Sequence, residues 1–164
     1  CNSFGDLMVG IGFDMHKLAE GETLILGGVK LDSKIGTVAH SDGDVVLHSI
    51  IDALLGAAGL GDIGDHFPDT DQKYKNADSS LLTKEVVGMI DKKGMYIVNI
   101  DCTIVLEKPK LSAHKNSIKE KVAEICGIKS DQVNIKATTN EKTGFIGRGE
   151  GIVVHSVCEL QKSE

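Results

Sequence analysis

The segment from residue 44 to residue 58 constrains the fold more than any other part of the sequence. Its apolar side chains recur at helical spacing, and Ser41 or Asp42 is available to cap the N-terminus of the helix. The apolar stripe consists of Leu47, Ile51, Leu54, Leu55 and Ala58. A helix with one apolar face must bury that face against another layer of structure. The chain therefore has to supply a second layer.

The other periodic segments predict that this second layer is a β-sheet. Residues 8–13, 23–26, 29–31, 97–106, 133–138 and 152–160 are apolar or β-branched runs bounded by turn residues, which predicts strands. Residues 79–93 and 112–126 return to helical periodicity. This alternation predicts an α+β fold: a two-layer sandwich, of ferredoxin-like type, with a mixed sheet and helices mainly on one face.

Length sets the size of the folded unit. A chain of 164 residues with 41% hydrophobic content can bury one core, which favours a single domain over residues 8–164. The sequence begins without an initiator methionine, and residues 1–7 are interpreted as a remnant of processing or cloning. Residues 59–77 form a Gly- and Asp-rich stretch that is too long for a plain connection, so we expect a functional loop there.

Composition excludes several classes of function. The net charge of −6 argues against nucleic-acid binding, because nucleic-acid backbones attract clustered Lys and Arg. No stretch approaches the roughly 18 apolar residues of a membrane span. The 4 cysteines are far apart in sequence and form no C-x-x-C pair, so we expect reduced, mostly buried thiols. The sequence therefore predicts a soluble protein with neither a nucleic-acid nor a membrane partner.

Asp14, His16 and His48 are candidate metal ligands. Asp14 and His16 occupy alternate positions just past the first predicted strand, so their side chains can converge on one point. A catalytic zinc site typically has three protein ligands and one open position, and His48 on the predicted helix is the best third candidate. Asp44 or Asp52, four residues to either side of His48, could fix its tautomer. Taken alone, the first pair also fits a surface turn, and His48 also fits a salt-bridged surface histidine.

Further motifs follow along the chain: A-H-S-D-G-D from residue 39, D-I-G from 62, F-P-D-T-D from 67, K-A-T-T-N-E-K from 136 and G-F-I-G-R-G-E-G from 144. Each motif has a plainer interpretation as well: a capped loop at 40–43, turn residues at Asp69 and Asp71, a strand end at 138–139, and a surface arginine at Arg148. Together, from about Val9 to the C-terminus, they resemble the family of 2-C-methyl-D-erythritol 2,4-cyclodiphosphate synthases.

The resemblance implies a set of site residues. Zinc would be held by Asp14, His16 and His48, and a second divalent cation, Mg²⁺ or Mn²⁺, by Glu141. The open position of the zinc would take an oxygen of the β-phosphate, and His40 and Ser41 would be a phosphate-binding pair, with Ser41 also capping the helix. Thr139 would also be a catalytic residue. Further substrate contacts would come from Asp62, Gly64, Asp69, Phe145 and Arg148, and the cytidine and α-phosphate pocket of a neighbouring subunit from Pro109, Lys110, Leu111, Ala137, Thr138 and Thr139.

The resemblance also implies a reaction and an assembly. The substrate would be 4-diphosphocytidyl-2-C-methyl-D-erythritol 2-phosphate, a cytidine diphosphate derivative that is cyclised with release of CMP in the non-mevalonate isoprenoid pathway. The enzyme would be a homotrimer with active sites between subunits, located in the cytoplasm of a bacterium or in a plastid stroma. Val9, Phe13, Ile146, Arg148 and Glu150 would surround an apolar cavity on the three-fold axis that can hold an isoprenoid diphosphate. The sequence departs from the family pattern at Met8, Ile11 and Asn140, none of which is a proposed ligand.

Two other functions fit part of the same pattern. A zinc hydrolase could use Asp14, His16 and His48 to activate water against a nucleotide diphosphate. A trimeric isoprenoid-binding module with structural metals is less favoured, because structural zinc normally has four protein ligands and only three are found.

Overall fold

The computed structural model describes residues 7–68, 70–74 and 77–163 of the chain. The strands are β1 (Leu7–Glu20), β2 (Leu24–Leu26), β3 (Val29–Leu31), β4 (Ile35–Val38), β5 (Met95–Val105), β6 (Val133–Thr138) and β7 (Gly151–Lys162). The helices are α1 (Val45–Ala58), α2 (Ile63–His66), α3 (Ser79–Lys92), α4 (Lys115–Cys126) and α5 (Gly144–Gly147), with 3-10 turns at Gln72–Tyr74 and Ser130–Gln132. No helix within these ranges has the length and apolarity needed to cross a membrane.

Five strands form one mixed sheet in the order β4-β1-β7-β5-β6, and β2 pairs with β3 in a separate hairpin. Only β5 and β6 run parallel, and α4 provides the crossover that a parallel pair requires. The prediction of a mixed α+β sheet is confirmed. The ferredoxin-like part is wrong, because that fold follows a βαββαβ order. Here long helices join β1 to β5 and β5 to β6, and β7 then follows β6 without a long helix, which gives a βαβαββ order.

The two faces of the sheet have different surroundings. Along β1, alternate residues Gly10 and Gly12 are buried against α1, as the period of two in a strand requires. Ser49 of α1 donates a hydrogen bond to Ser156 of β7 across the same interface, at 2.9 Å between the hydroxyl oxygens. The opposite face, which we call the open face, carries Leu7, Val9, Ile11, Phe13, Met15 and Val157, which are between 41% and 72% exposed. The helices thus cover one face and leave an apolar surface on the other.

The cap of α1 differs from the prediction. Asp44, rather than Ser41 or Asp42, is the N-cap, and its carboxylate accepts hydrogen bonds from the backbone amides of Val46 and Leu47. The same carboxylate accepts hydrogen bonds from the amides of Gly27 and Gly28 in the β2–β3 turn. Asp44 is fully buried. It therefore joins the hairpin to the start of α1, which the sequence did not indicate.

Several boundaries also shift. β1 continues to Glu20, so Asp14 and His16 lie within the strand and not past its end. Leu7, predicted to fall outside the domain, pairs with Gln161, while residues 1–6 lie outside the described part of the chain. The third long helix begins at Lys115, three residues later than predicted, and Asp78 is the N-cap of α3. Cys102, Cys126 and Cys158 are free and buried, as expected, and burial raises the pKa of Cys102 to about 12.

Candidate metal centre and substrate pocket

Asp14, His16 and His48 converge on one point. Asp14 and His16 are alternate residues on the face of β1 that α1 covers, and His48 lies in the first turns of α1. Asp14 Oδ2 is 3.1 Å from His16 Nδ1 and 3.2 Å from His48 Nδ1. One potential ligand atom from each residue lies within 4.8 Å of the others. The described residues contain no other such cluster of three His, Cys, Asp or Glu side chains.

The donor set fits a divalent cation such as zinc. Two imidazole nitrogens and one carboxylate oxygen match the three protein ligands of a catalytic zinc site. His16 Nδ1 is buried and makes no well-oriented hydrogen bond, although Asp14 Oδ2 is only 3.1 Å away. A buried polar atom without a hydrogen bond is costly unless another partner satisfies it. A cation between the three ligand atoms would supply that partner.

The charges at the cluster favour a cation. Burial opposes ionisation of Asp14, but the short contacts with His16 and His48 and the charges of the two rings outweigh it and hold the pKa of Asp14 at about 2. Burial also opposes protonation of His48, but its hydrogen bond to Asp14 and the nearby carboxylates raise its pKa above the ordinary value. The cluster is therefore anionic at Asp14, and this charge favours a proton on His48 in the chain alone. A divalent cation can take the place of that proton.

The position of His48 depends on residues that the sequence reasoning missed. Asp52 does not contact the ring; its carboxylate accepts a hydrogen bond from the amide of Ile63 at 3.0 Å. The carboxylate of Asp44 accepts hydrogen bonds from backbone amides of the β2–β3 turn and of α1. The ring partner is Ser79, whose hydroxyl oxygen lies 2.8 Å from His48 Nε2. The prediction that Asp44 or Asp52 orients His48 is therefore wrong, and no local signal identified Ser79, which lies 31 residues from His48.

A cavity of about 610 Å³ opens beside the cluster. Asp14, His16 and His48 line it together with His40, Ser41 and Gly64, so the structure brings these six predicted site residues together, whereas Asp62 is not among the lining residues. His40 is exposed, and Ser41 accepts a hydrogen bond from the amide of Gly43 without capping α1. The cavity is large enough for a small diphosphate ester.

Residues of the Gly- and Asp-rich stretch 59–77 form another wall of this cavity. Asp62 caps α2 by accepting a hydrogen bond from the amide of Asp65, and Asp52 holds the adjacent Ile63 against α1. Phe67 and Tyr74 pack edge to face, with ring centroids 5.4 Å apart, and both line the cavity. Asp69 lies outside the described residues. The loop therefore closes one side of the pocket around the cluster.

The predicted nucleotide-binding residues lie elsewhere on the chain. Pro109, Lys110 and Leu111 follow the end of β5, Ala137 and Thr138 are the last residues of β6, and Thr139 comes directly after it; none of the six lines the cavity. His16 pairs with Ile152 of β7, and the neighbouring Val153 pairs with Val105 of β5. Val105 in turn pairs with Thr138 of β6. His16 and Thr138 are thus at the same end of the sheet but three strand spacings, about 14 Å, apart.

This second group has its own local geometry. Thr139 donates a hydrogen bond to Glu141 Oε1 at 2.9 Å, which fixes the exposed carboxylate. Glu141 and Lys142 both have positive φ values, of 50° and 60°, a left-handed conformation that non-glycine residues rarely adopt. Strained backbone is concentrated at functional sites, which agrees with a binding role for this turn. Leu111 is buried, whereas Lys110, Ala137 and Thr138 are exposed.

The residues predicted to surround a cavity on the three-fold axis do not all lie on the open face of the sheet. Val9 and Phe13 are on the open face, with 60% and 54% exposure. Ile146 is buried, so it does not line such a surface in the single chain, and Phe145 is 39% exposed. Arg148 is exposed and makes two hydrogen bonds to Glu150, at 2.8 and 3.0 Å.

Comparison with known proteins gives one family. The model of the YgbB family matches residues 7–161. A 2-C-methyl-D-erythritol 2,4-cyclodiphosphate synthase of Pseudomonas putida strain W619 is 53% identical over 154 residues, covering 94% of this chain and 98% of the relative. The bifunctional IspDF of Campylobacter jejuni superposes with a TM-score of 0.94 at 43% identity, covering 98% of this chain but 43% of that longer chain. A CDP complex of Plasmodium falciparum IspF has a TM-score of 0.86 and 33% identity, covering 99% and 100% of the two chains.

Proposed function

This chain belongs to the YgbB family, and we propose that it converts 4-diphosphocytidyl-2-C-methyl-D-erythritol 2-phosphate into 2-C-methyl-D-erythritol 2,4-cyclodiphosphate with release of CMP. It is a lyase of non-mevalonate isoprenoid biosynthesis, like the full-length relatives that carry this name. The observation that carries the proposal is the cluster of Asp14, His16 and His48 on the wall of a cavity of about 610 Å³. Its bacterial relatives support a bacterial cytoplasm as its location; a plastid stroma is the alternative for a plastid-bearing source.

The chemistry requires positioning more than proton transfer. The 2-phosphate of the substrate is already ionised and attacks the β-phosphorus, so no general base is needed. His40 and Ser41, on the rim of the cavity, orient the β-phosphate for this attack, and Gly64 lets the methylerythritol unit approach the loop backbone. Asp62 is placed beside Gly64 to bind the hydroxyl groups, and the aromatic wall of Phe67 and Tyr74 limits entry of water.

Metals complete this site. Asp14, His16 and His48 would hold a zinc ion, which acts as a Lewis acid towards the β-phosphate. Glu141, fixed by Thr139, offers the hard oxygen ligand that Mg²⁺ or Mn²⁺ prefers, and these cations commonly take their remaining ligands from substrate phosphates and water. The identities of both ions belong to this proposal.

We further propose that the chain forms a homotrimer with active sites between subunits. If other copies of the chain covered the apolar open face, the assembly would be stabilised by about 25 cal/mol for each Å² of apolar surface removed from water. The metal cluster and the nucleotide-binding residues are about 14 Å apart within one chain, across two intervening strands. A neighbouring copy that brings its residues 109–111 and 137–141 to the cavity of the first would complete the pocket.

Replacing Ile11 with Asp should break this assembly. Ile11 is 72% exposed at the middle of β1, and a buried charge there would cost several kcal/mol per subunit interface. We expect analytical ultracentrifugation to show a species of one-third the parent mass, with loss of turnover. Leu81→Asp is the matched control, because Leu81 is 62% exposed on α3, away from the open face. A trimer that survives the Ile11 change would exclude this face as the interface.

An isoprenoid diphosphate on the three-fold axis is the last part of the proposal. Phe13 supplies an apolar surface and Arg148 a guanidinium, but Glu150 already pairs with Arg148 in the single chain. A bound diphosphate therefore has to displace Glu150. Arg148→Ala should abolish the isoprenoid that co-purifies with the protein, and Glu150→Gln should increase it, because the guanidinium is released. Mass spectrometry of extracted ligand measures both, and equal retention in the two variants would contradict this role.

The reaction itself is tested by product analysis in ¹⁸O-labelled water. Cyclisation should yield CMP and the cyclic diphosphate, neither of which contains ¹⁸O, and chelation of divalent metals should stop both. A zinc hydrolase acting at the same cluster would instead place ¹⁸O in one product. A binding module with structural metals would release no CMP at all.

A further inference from the structure

We propose that Asp42 and Ser79 form a relay that fixes which ring nitrogen of His48 carries the proton, so that Nδ1 is left free to bind the cation. This inference rests on the proposed function, in which His48 is a ligand. It adds two positioning residues, which act on the metal through His48.

The contacts join the segment before α1 to the start of α3 around the ring of His48. The Ser79 hydroxyl donates to Asp42 Oδ1, and the Ser79 amide donates to Asp42 Oδ2 at 2.9 Å. Ser79 Oγ lies 2.8 Å from His48 Nε2, and Ser79 is fully buried. The amide of Asp42 also donates to the carbonyl of Ala77 at 3.2 Å. The serine is therefore held on its backbone and side chain by a single carboxylate.

The direction of the hydrogen bonds follows from what each group can donate. A serine hydroxyl has one proton, and a carboxylate can only accept. Because the proton of Ser79 is given to Asp42, the hydroxyl oxygen can only accept from His48, so Nε2 must carry a hydrogen. Nδ1 is the atom that faces Asp14 at 3.2 Å: without a cation it donates its hydrogen to that carboxylate, and a bound cation would replace this hydrogen while Nε2 keeps its own.

One other hydroxyl approaches the same nitrogen. Ser41 Oγ is 3.4 Å from Nε2, and a proton donated from Ser41 would favour the opposite tautomer. The shorter contact with Ser79, at 2.8 Å, is at ideal hydrogen-bond length, whereas 3.4 Å is at the limit. Ser79 and Asp42 therefore set the tautomer.

Two variants test the relay in different ways. Ser79→Ala removes the acceptor, and loss of such a partner of a metal ligand typically weakens metal binding about 10- to 100-fold. Asp42→Asn keeps the size of the side chain but reverses the hydrogen bond. The Ser79 amide, 2.9 Å from Oδ2, is a closer donor than the Asp44 amide, 3.2 Å from Oδ1, so the amide oxygen of the new side chain faces the Ser79 amide and its NH₂ faces the hydroxyl. Ser79 must then donate to His48 Nε2, which favours the wrong tautomer.

Two measurements on the purified full chain decide the outcome. Chelator competition gives the zinc dissociation constant, which we expect to rise about 10- to 100-fold in both variants. The double variant should be no worse than Ser79→Ala alone, because both changes act through one path. In the zinc-free chain, ¹⁵N NMR should show hydrogen on both ring nitrogens of the parent, one donated to Asp14 and one to Ser79, and on Nδ1 alone in Asp42→Asn at the same pH. Ser80→Ala, at the neighbouring position, is the matched control and should change neither result.

Each failure has a separate meaning. If the parent binds zinc but both variants bind it equally well, the relay is overturned while the proposed function stands. If the parent chain binds no zinc, the proposed function fails, and the NMR measurement still decides whether Asp42 sets the tautomer. An unchanged proton position in Asp42→Asn overturns the relay in either case.

Discussion

Replacing His48 with Ala is expected to lower bound zinc at least about tenfold and cyclisation about 10³-fold or more, while the chain stays folded. The loss of turnover follows because a Lewis acid stabilises the charge of a phosphoryl-transfer transition state by several kcal/mol, and about 1.4 kcal/mol corresponds to a factor of ten in rate. The fold should survive because the main contacts of the ring are its hydrogen bonds to Asp14 and Ser79, worth about 1 kcal/mol each, and a tilted contact with the ring of His16.

The measurements are metal content by mass spectrometry, CMP release, and circular dichroism. His114→Ala is a suitable control, since His114 precedes α4 and makes no side-chain capping hydrogen bond. The control should keep the full metal content. Zinc that remains at the parent level in His48→Ala would mean that another residue is the third ligand.

Replacing Gly12 with Ala should destabilise the chain by about 3 kcal/mol or more. A β-carbon at position 12 would lie 1.8 Å from the carbonyl oxygen of Ser49 and 2.8 Å from the amide nitrogen of Ala53. Both atoms belong to the backbone of α1, so a rotamer change cannot relieve the clash. The helix itself has to move, and overpacking that shifts a backbone typically costs about 1–3 kcal/mol or more. Most residues of α1 are buried in the core, so the displacement would disturb contacts on its other sides too.

Urea denaturation of Gly12→Ala measures this effect. Gly88→Ala is the matched control, because Gly88 lies in α3 with nothing within 4 Å of an added β-carbon. That control should gain about 0.5–1 kcal/mol, since alanine is the better helix former. Gly12→Ala should also bind zinc more weakly, because the approach of β1 to α1 sets the distance between Asp14 and His48. Parent-like stability would show that the two elements do not pack this closely.

The metal cluster could be predicted from the sequence because part of its geometry is local. Asp14 and His16 are two positions apart, and any extended segment directs such side chains to the same face. Extension of β1 to Glu20 moved the strand end but left that geometry intact. His48 lies on the polar stripe of a helix whose apolar stripe was already visible, so its general direction followed from helical periodicity. The distance between Asp14 and His48 did not follow, because it depends on the contact at Gly12.

The partners of these side chains were beyond local reasoning. Ser79 is 31 residues from His48, in a different helix, and nothing in its neighbourhood marks it as a ring partner. Asp44 and Asp52 have the right spacing along α1, but their carboxylates are occupied by backbone amides of the β2–β3 turn and of Ile63. Spacing along a helix shows which residues share a side, whereas competition for a buried carboxylate depends on which amides the fold brings nearby.

By itself, the sequence determined the type of most elements, the mixed sheet and the choice of Asp14, His16 and His48, since these depend on periodicity and on the chemistry of each side chain. Only the tertiary structure decided the strand order, the contact of β1 with α1, the link from Asp42 through Ser79 to His48, and the separation of the metal cluster from Thr138. These features arise from contacts between residues far apart in the chain. Such contacts are selected by packing of the whole core, which no local pattern encodes.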